Sequence, residues 1–112
     1  MSHALLVNLT DFGMVNGHHL QGSEQPSLLL VDGTRIIACT PAEYRIAALL
    51  LHAPGKPVPL AQFAHRSRHR LANQVSRLRR KVAPLGITIV SVKTYGYLAL
   101  LTPQAASPDG LA

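Results

Sequence analysis

The sequence predicts an α+β domain in which antiparallel strands come first, three helices follow, and a β-hairpin closes the fold. Three observations predict this class: turn dipeptides between short apolar runs, a helix-start signal followed by helical apolar spacing, and two final alternating runs joined by a turn. The 112 residues suit one domain, and 47% of them are apolar, enough for a core. We expect a single domain over residues 1–101 and a disordered Pro-, Ala- and Ser-rich tail over 102–112.

The first 40 residues read as short strands. Apolar runs at 4–7 and 28–31 predict two of them. Asn16-Gly17 and Asp32-Gly33 are hairpin signals, because these residue types accept a positive φ. The second signal joins 28–31 to a strand over 34–39. Residues 21–27 are polar and contain Gly and Pro, so they predict a loop.

A strong helix start follows. Thr40 can cap the helix, Pro41 suits its first position, and Glu43 completes a capping box. The first helix is predicted over 41–51, ending at the Ala-Pro-Gly of 53–55.

Two more helices are predicted between this one and the final hairpin. A short second helix starts near Pro59 and includes Leu60, Phe63 and Ala64, and a turn follows near Arg66-Ser67. A third helix covers residues 68–82 and carries an apolar stripe at spacings of four, three and four: Leu71, Val75, Leu78 and Val82.

The last two runs predict a hairpin. Residues 87–92 alternate as a strand, 93–96 form a turn, and 97–101 return. A short helix joined by a tight turn to a longer one, followed by a hairpin, predicts a winged helix-turn-helix fold.

The charge distribution points to a polyanionic partner. The net charge is +6, and no acid lies between Tyr44 and Pro108, a stretch that holds ten of the 11 cations. No apolar run approaches the length of a membrane span, the chain has no Trp, and its first residues lack a basic signal-peptide start. We therefore expect a cytoplasmic protein with no membrane partner.

The face of the third helix opposite its apolar stripe has the composition of a DNA-reading surface. It collects His69, Asn73, Ser76, Arg77 and Arg80, flanked by Arg70, Gln74 and Arg79. Arginine pairs with guanine, Asn or Gln pairs with adenine, and Ser and the other arginines can hold phosphates. Lys93 at the hairpin tip would reach a neighbouring groove or a phosphate. A solvated basic face is the alternative interpretation, but the absence of local acids and the amide side chains favour DNA.

The sequence offers no enzyme, metal or cofactor site. Cys39 is the single cysteine, so no internal disulfide forms, and a small buried hydrophobic side chain is expected there. His65 and His69, with His52 or the His18-His19 pair, have a spacing that could suggest zinc, but the predicted turn between them and the surrounding arginines oppose it. Catalytic triads and phosphate-cradling glycine loops are not found.

Four segments resemble one family. They are Thr40-Pro41-Ala42-Glu43-Tyr44-Arg45, Leu49-Leu50-Leu51 with Pro54-Gly55, Val75-Ser76-Arg77-Leu78-Arg79-Arg80-Lys81-Val82, and Val92-Lys93-Thr94-Tyr95-Gly96-Tyr97. Together they resemble the C-terminal effector domain of OmpR/PhoB-type response regulators, in consistent order over residues 28–101. No phospho-acceptor receiver domain precedes the match, so we expect a stand-alone regulator.

The resemblance implies a winged helix whose recognition helix enters the major groove and whose wing reaches the minor groove. It places Arg77 at a base-reading position and Ser91 and Lys93 at wing contacts. Other helix contact positions fall on His69, Arg70, Asn73, Gln74, Ser76 and Arg79. Thr94 replaces a usual Gly at the wing, Leu98 a usual basic residue, and Asn73 a usual aliphatic one. The connection between the second and third helices, which can touch RNA polymerase in the family, is several residues shorter here.

These observations predict a sequence-specific double-stranded DNA-binding transcriptional regulator. The predicted DNA-binding residues are His69, Arg70, Asn73, Gln74, Ser76, Arg77, Arg79, Arg80, Ser91, Lys93 and Thr94. A homodimer on repeated half-sites, and RNA polymerase or another regulator, are the expected protein partners. The alternative is a protein–protein interaction module on a winged-helix scaffold that has lost specific DNA reading. RNA is disfavoured because aromatic stacking platforms are missing.

Overall fold

The computed structural model describes residues 8–63 and 67–101. Its elements are, in order, β1 (Thr10–Val15), β2 (His18–Glu24), β3 (Ser27–Val31), β4 (Arg35–Ala38), α1 (Pro41–His52), β5 (Val58–Pro59), a 3-10 helix (Leu60–Phe63), α2 (Arg68–Val82), a second 3-10 helix (Ala83–Leu85), β6 (Ile87–Val92) and β7 (Gly96–Leu101). The strand predicted over 4–7 and the disordered tail predicted over 102–112 lie outside the described residues.

The N-terminal strands form a four-stranded antiparallel sheet in the order β1-β2-β3-β4. Both predicted hairpin turns are confirmed. Asn16 and Gly17 have φ of 54° and 85°, and Asp32 and Gly33 have φ of 53° and 72°. These left-handed angles are the ones that Asn, Asp and Gly tolerate in hairpin turns. The β1–β2 turn has two residues, whereas the β3–β4 turn has three, residues 32–34, because Val31 pairs with Arg35.

The prediction of a loop over residues 21–27 is wrong, because most of these residues belong to strands. β2 runs through this segment and pairs Gln21 with Leu30 and Ser23 with Leu28, and the chain turns to β3 at Gln25-Pro26 through a cis peptide bond. Gly22, which favoured a loop in the sequence, is required by packing: a Cβ there would lie 2.6 Å from Cε1 of Tyr44. Glycine in a strand often marks such a close approach.

Helix α1 begins as predicted. Thr40 Oγ1 accepts a hydrogen bond from Glu43 N at 3.1 Å, and Glu43 Oε1 accepts one from Thr40 N at 3.0 Å. This reciprocal pair satisfies two backbone donors at the helix start. Its buried face includes Ile46, Ala47 and Leu50.

The predicted second helix is wrong. Within the described residues the chain has two α-helices rather than three, and Val58–Pro59 is a short strand followed by the 3-10 helix Leu60–Phe63. The reason is a long-range one: β5 pairs with β7, and Leu60 N donates to Tyr95 O at 2.8 Å. That pairing extends the backbone where local sequence favours a helix. Ala64 and Arg66, the expected helix end and turn, lie outside the described residues.

The predicted winged helix-turn-helix architecture is also wrong. The final hairpin itself is confirmed, with Ile89 paired to Ala99 and Val92 to Gly96. However, β6 and β7 belong to a three-stranded sheet in the order β5-β7-β6. In the described part of the chain, two α-helices and two antiparallel sheets therefore replace three helices and a free C-terminal hairpin.

The core lies between the helices and both sheets. It combines Leu20, Leu29 and Val31 from the first sheet with α1, the predicted stripe of α2, and Ile87 and Ile89 from the second sheet. The stripe residues Leu71, Val75, Leu78 and Val82 are buried, as their spacing predicts. Asn16 Nδ2 donates to Leu85 O at 3.0 Å and so links the β1–β2 turn to the chain just after α2.

Within residues 8–63 and 67–101, every helix is too short or too polar to cross a membrane.

Thr94, in the β6–β7 turn, has a φ of 60°. A β-branched residue is strained in this region, at a cost of roughly 1–2 kcal/mol, whereas glycine is not. Glycine offsets about 0.5–1 kcal/mol of that gain, because it makes the unfolded chain more flexible. We therefore expect Thr94→Gly to raise the free energy of unfolding by about 0.5–1 kcal/mol in urea titrations. Lys93→Gly is the control, because Lys93 has no positive φ to relieve; a Thr94→Gly protein no more stable than the wild type would contradict the strain.

Candidate nucleic-acid interface

Helix α2 carries most of the predicted site residues. Ser67 caps it, its Oγ accepting from His69 N at 3.1 Å and from Arg70 N at 3.3 Å. The helix extends over Arg68–Val82, the range that the sequence predicts. Because its four apolar side chains face the core, the opposite side of the helix faces solvent.

Six predicted site residues lie together on that solvent side, and we call this surface the α2 outer face. All six are exposed. They are His69, Arg70, Asn73, Ser76, Arg77 and Arg80. The helix contains no Asp or Glu, so no acid along α2 neutralises this face. A face of cations with amide and hydroxyl groups can donate hydrogen bonds both to phosphates and to base edges.

Arg79 differs from these six because it is bound to the protein itself. Its Nε donates to the carbonyl oxygen of Ile89, in β6, at 2.8 Å. The side chain is thus directed along the flank of the helix toward the second sheet. Arg79 therefore lies on the flank where helical spacing predicts it, and it is exposed although its Nε is bound to the protein.

Gln74 lies on the other flank and is partly buried. Its Oε1 is buried and has no hydrogen-bond partner among the described residues. A pairing of Gln with adenine uses both the amide oxygen and the amide nitrogen. In this conformation the Gln74 oxygen points away from solvent, so Gln74 is less accessible than the six residues of the α2 outer face.

Lys81 and Glu43 form an ion pair that the sequence did not predict. Lys81 Nζ lies 2.5 Å from Glu43 Oε1 and donates to Ala38 O at 2.9 Å. Only 1% of the Glu43 side chain is exposed. Because 38 residues separate the partners, no local pattern indicates the contact.

The environment of Glu43 determines its charge state. Burial raises the pKa of this carboxyl, but hydrogen bonds from Lys81 and from Thr40 N, with the charges of Lys81 and Arg77, outweigh burial and hold the pKa below its usual value. Glu43 is therefore ionised near neutral pH, and its charge is paired with Lys81 inside the fold.

The remaining predicted residues lie on the β6–β7 hairpin, apart from α2. Ser91, Lys93 and Thr94 are exposed, the last two in the turn that Tyr95 N closes by donating to Val92 O at 2.9 Å. Tyr95, which sequence analysis did not select, is 48% exposed at the same turn. The hairpin end thus presents one cation, the hydroxyls of Ser91 and Thr94, and the phenol ring of Tyr95.

The other titratable groups include one thiol and two histidine–aspartate pairs. Burial raises the pKa of the Cys39 thiol, which suits an unreactive side chain. Two histidine–aspartate pairs lie on the first sheet, His18 with Asp32 at 2.7 Å and His19 with Asp11 at 3.0 Å. Across the described part of the chain, no three His, Cys, Asp or Glu side chains come close enough to hold a metal ion. His65, one of the histidines weighed for zinc, lies outside it.

A scan of protein-family models and a search of curated proteins both returned no match to this chain.

Proposed function

We propose that this protein binds double-stranded DNA in a sequence-specific manner and regulates transcription. The observation that carries the proposal is the α2 outer face: six exposed side chains, all able to donate hydrogen bonds, on a helix without an acid. The folded core supports it, because burial of the apolar stripe directs these side chains away from the protein. DNA binding also fits a cytoplasmic location.

The electrostatic part of binding would come from the cations. Each lysine or arginine that neutralises a phosphate releases condensed counterions, so affinity falls steeply as salt rises. Arg70, Arg80 and Lys93 are exposed cations suited to this role. This contribution is independent of sequence and gives general affinity for duplex DNA.

The sequence-reading part would come from Arg77 and Asn73. Both are exposed on the α2 outer face. The major groove of B-DNA admits an α-helix and displays a distinct pattern of donors and acceptors for each base pair. An arginine fork suits guanine, and an asparagine amide suits adenine, so these two residues are the candidates for base contacts.

The decisive experiment is selection of bound duplexes from a random library, followed by titration of the enriched sequence. We expect enrichment of a short motif and a log–log salt dependence with a negative slope. Two motifs at a fixed spacing would indicate a homodimer on repeated half-sites. Retention on DNA without any enriched motif would leave only a basic surface and would favour the alternative, a protein–protein interaction module.

We expect Arg77→Ala to weaken binding to the selected duplex by about 1–3 kcal/mol and to relax the preference at one base position. The reason is the loss of a bidentate contact to one base. Mobility-shift titrations on the selected duplex and its single-base variants measure both effects. Arg45→Ala, which removes an exposed cation from α1, is the charge-matched control. Equal affinities for the Arg77 and Arg45 variants would remove Arg77 from the reading set.

A further inference from the structure

Helix α2 is tied to a strand on each of its two flanks. Arg79 Nε donates to Ile89 O, in β6, and Lys81 Nζ donates to Ala38 O, at the end of β4. Those strands belong to the two different sheets. Because residues two apart are about 200° apart around a helix, the two side chains leave α2 in nearly opposite directions.

We propose that Arg79 and Lys81 are positioning residues that fix the rotation of α2 about its own axis, and that Arg79 makes no DNA contact. The inference rests on the proposed DNA binding and deepens it. It also departs from the family resemblance, which places Arg79 among the contact positions. Arg77 and Arg80 would bind DNA, whereas the intervening Arg79 binds the protein.

The apolar stripe alone defines the rotation of α2 only loosely. Hydrophobic burial is not directional, whereas hydrogen bonds weaken steeply with poor angles. The outer atoms of a helix lie about 5–6 Å from its axis, so a rotation of about 10° moves them by about 1 Å. A base contact must fall within a few tenths of an ångström of its ideal length. Two directional ties on opposite flanks resist such a rotation.

The burial of the partners supports this assignment. Glu43, the second acceptor for Lys81, is held almost fully buried at the start of α1. Ile89 is a core residue of β6 with 3% exposure. The Arg79 tie therefore ends on a core strand, and the Lys81 tie ends on the buried Glu43 as well as on the exposed Ala38.

Salt-dependent binding of variants of the full chain separates the two roles of Arg79. Arg79→Gln removes the charge but keeps an N–H donor at the same place along the side chain, because Gln Nε2 stands where Arg Nε does. Arg79→Met removes both. Arg80→Gln is the matched control for loss of an exposed arginine. Each variant is titrated against the selected duplex and a random duplex between about 50 and 200 mM salt.

We expect Arg79→Gln to bind like the wild type, with the same salt slope on both duplexes. Arg79→Met should lose about fivefold to tenfold in affinity for the selected duplex, with little change on the random duplex and no change in slope. Arg80→Gln should lower the magnitude of the slope by about 0.9 on both duplexes. Circular dichroism and unfolding midpoints establish that the variants are folded.

A fall of about 0.9 in the slope for Arg79→Gln would overturn the proposal, because it would identify Arg79 as a phosphate contact. That result would leave the proposed function intact, since the wild type would still select a duplex. Failure of the wild type to prefer any duplex would instead remove the proposed function and this inference with it.

Discussion

Gly96→Ala is expected to lower the free energy of unfolding by about 3 kcal/mol or more, at the upper end of what overpacking costs. A Cβ on residue 96 would lie 1.8 Å from the carbonyl oxygen of Val58 and 2.8 Å from its carbonyl carbon. These are backbone atoms, so no side-chain rotation can relieve the clash. Strand β5 would have to separate from β7, which breaks the pairing of Val58 with Tyr97. Thermal unfolding should register a fall of about 10–20 °C in Tm.

Gly33→Ala is the matched control for this prediction. Gly33 has a φ of 72° but open space around its Cβ position, so the substitution costs only the roughly 1–2 kcal/mol of a left-handed residue. If Gly96→Ala were no more damaging than Gly33→Ala, the close approach of β5 to β7 would not exist in solution.

Lys81→Met is expected to lower the free energy of unfolding by about 3–5 kcal/mol at pH 7, because it leaves a buried carboxylate without its cation. Glu43 would keep its capping bond to Thr40 but lose the only ion-pair partner it has in the described structure. Urea titration at neutral pH measures the loss. A cost below about 1 kcal/mol would place Glu43 in contact with water and contradict the buried pair.

The contribution of Glu43 to the free energy of unfolding should change with pH in opposite directions in Lys81→Met and in the wild type. In the wild type the pKa of Glu43 lies below its unfolded value near 4.5; the associated stability is present above that value and is lost as pH falls through the folded pKa. In Lys81→Met the lysine no longer counteracts the effect of burial, so the pKa of Glu43 should be higher in the folded state than in the unfolded state. The difference in the free energy of unfolding between the wild type and Lys81→Met should therefore become smaller as pH is lowered from 7 toward 4.

Glu43→Gln and the double variant Glu43→Gln/Lys81→Met isolate the charge. Glutamine can still complete the capping box, and the lysine, which is 33% exposed, can reach water. We expect Glu43→Gln to cost about 1–3 kcal/mol, and the double variant to be more stable than Lys81→Met alone. If the double variant were the less stable of the two, an unpaired Glu43 charge could not explain the cost of losing Lys81.

Features that depend on neighbouring residues were predicted from the sequence. The capping box at Thr40 and Glu43 is local, and so are the hairpin turns, whose residue types accept a left-handed φ. The limits of α2 and its buried stripe followed from helical spacing over 15 residues. For the same reason the composition of the α2 outer face could be read from the sequence without coordinates.

Features that depend on distant residues were not predicted. Residues 21–24 form a strand because apolar β3 pairs with them, although their own polar composition favours a loop. Residues 58–59 are extended because Gly96 admits them beside β7. The roles of Arg79 and Lys81 depend on carbonyl groups 10 and 43 residues away. From composition alone Arg79 and Lys81 cannot be told apart from Arg77, because the carbonyl groups that bind them are distant in the sequence.

The contribution of the first sheet to the core bears on how small a folded piece of this protein could be. Leu20, Leu29 and Val31 pack into the same cluster as both helices, and the Asn16 amide reaches across to Leu85. A fragment that began at the α1 cap would retain every candidate DNA-contacting residue, yet it would open a large apolar surface on α1 to water. We therefore expect the α2 outer face and the strands that precede it to fold as one unit, so that the first sheet cannot be removed without loss of the helix.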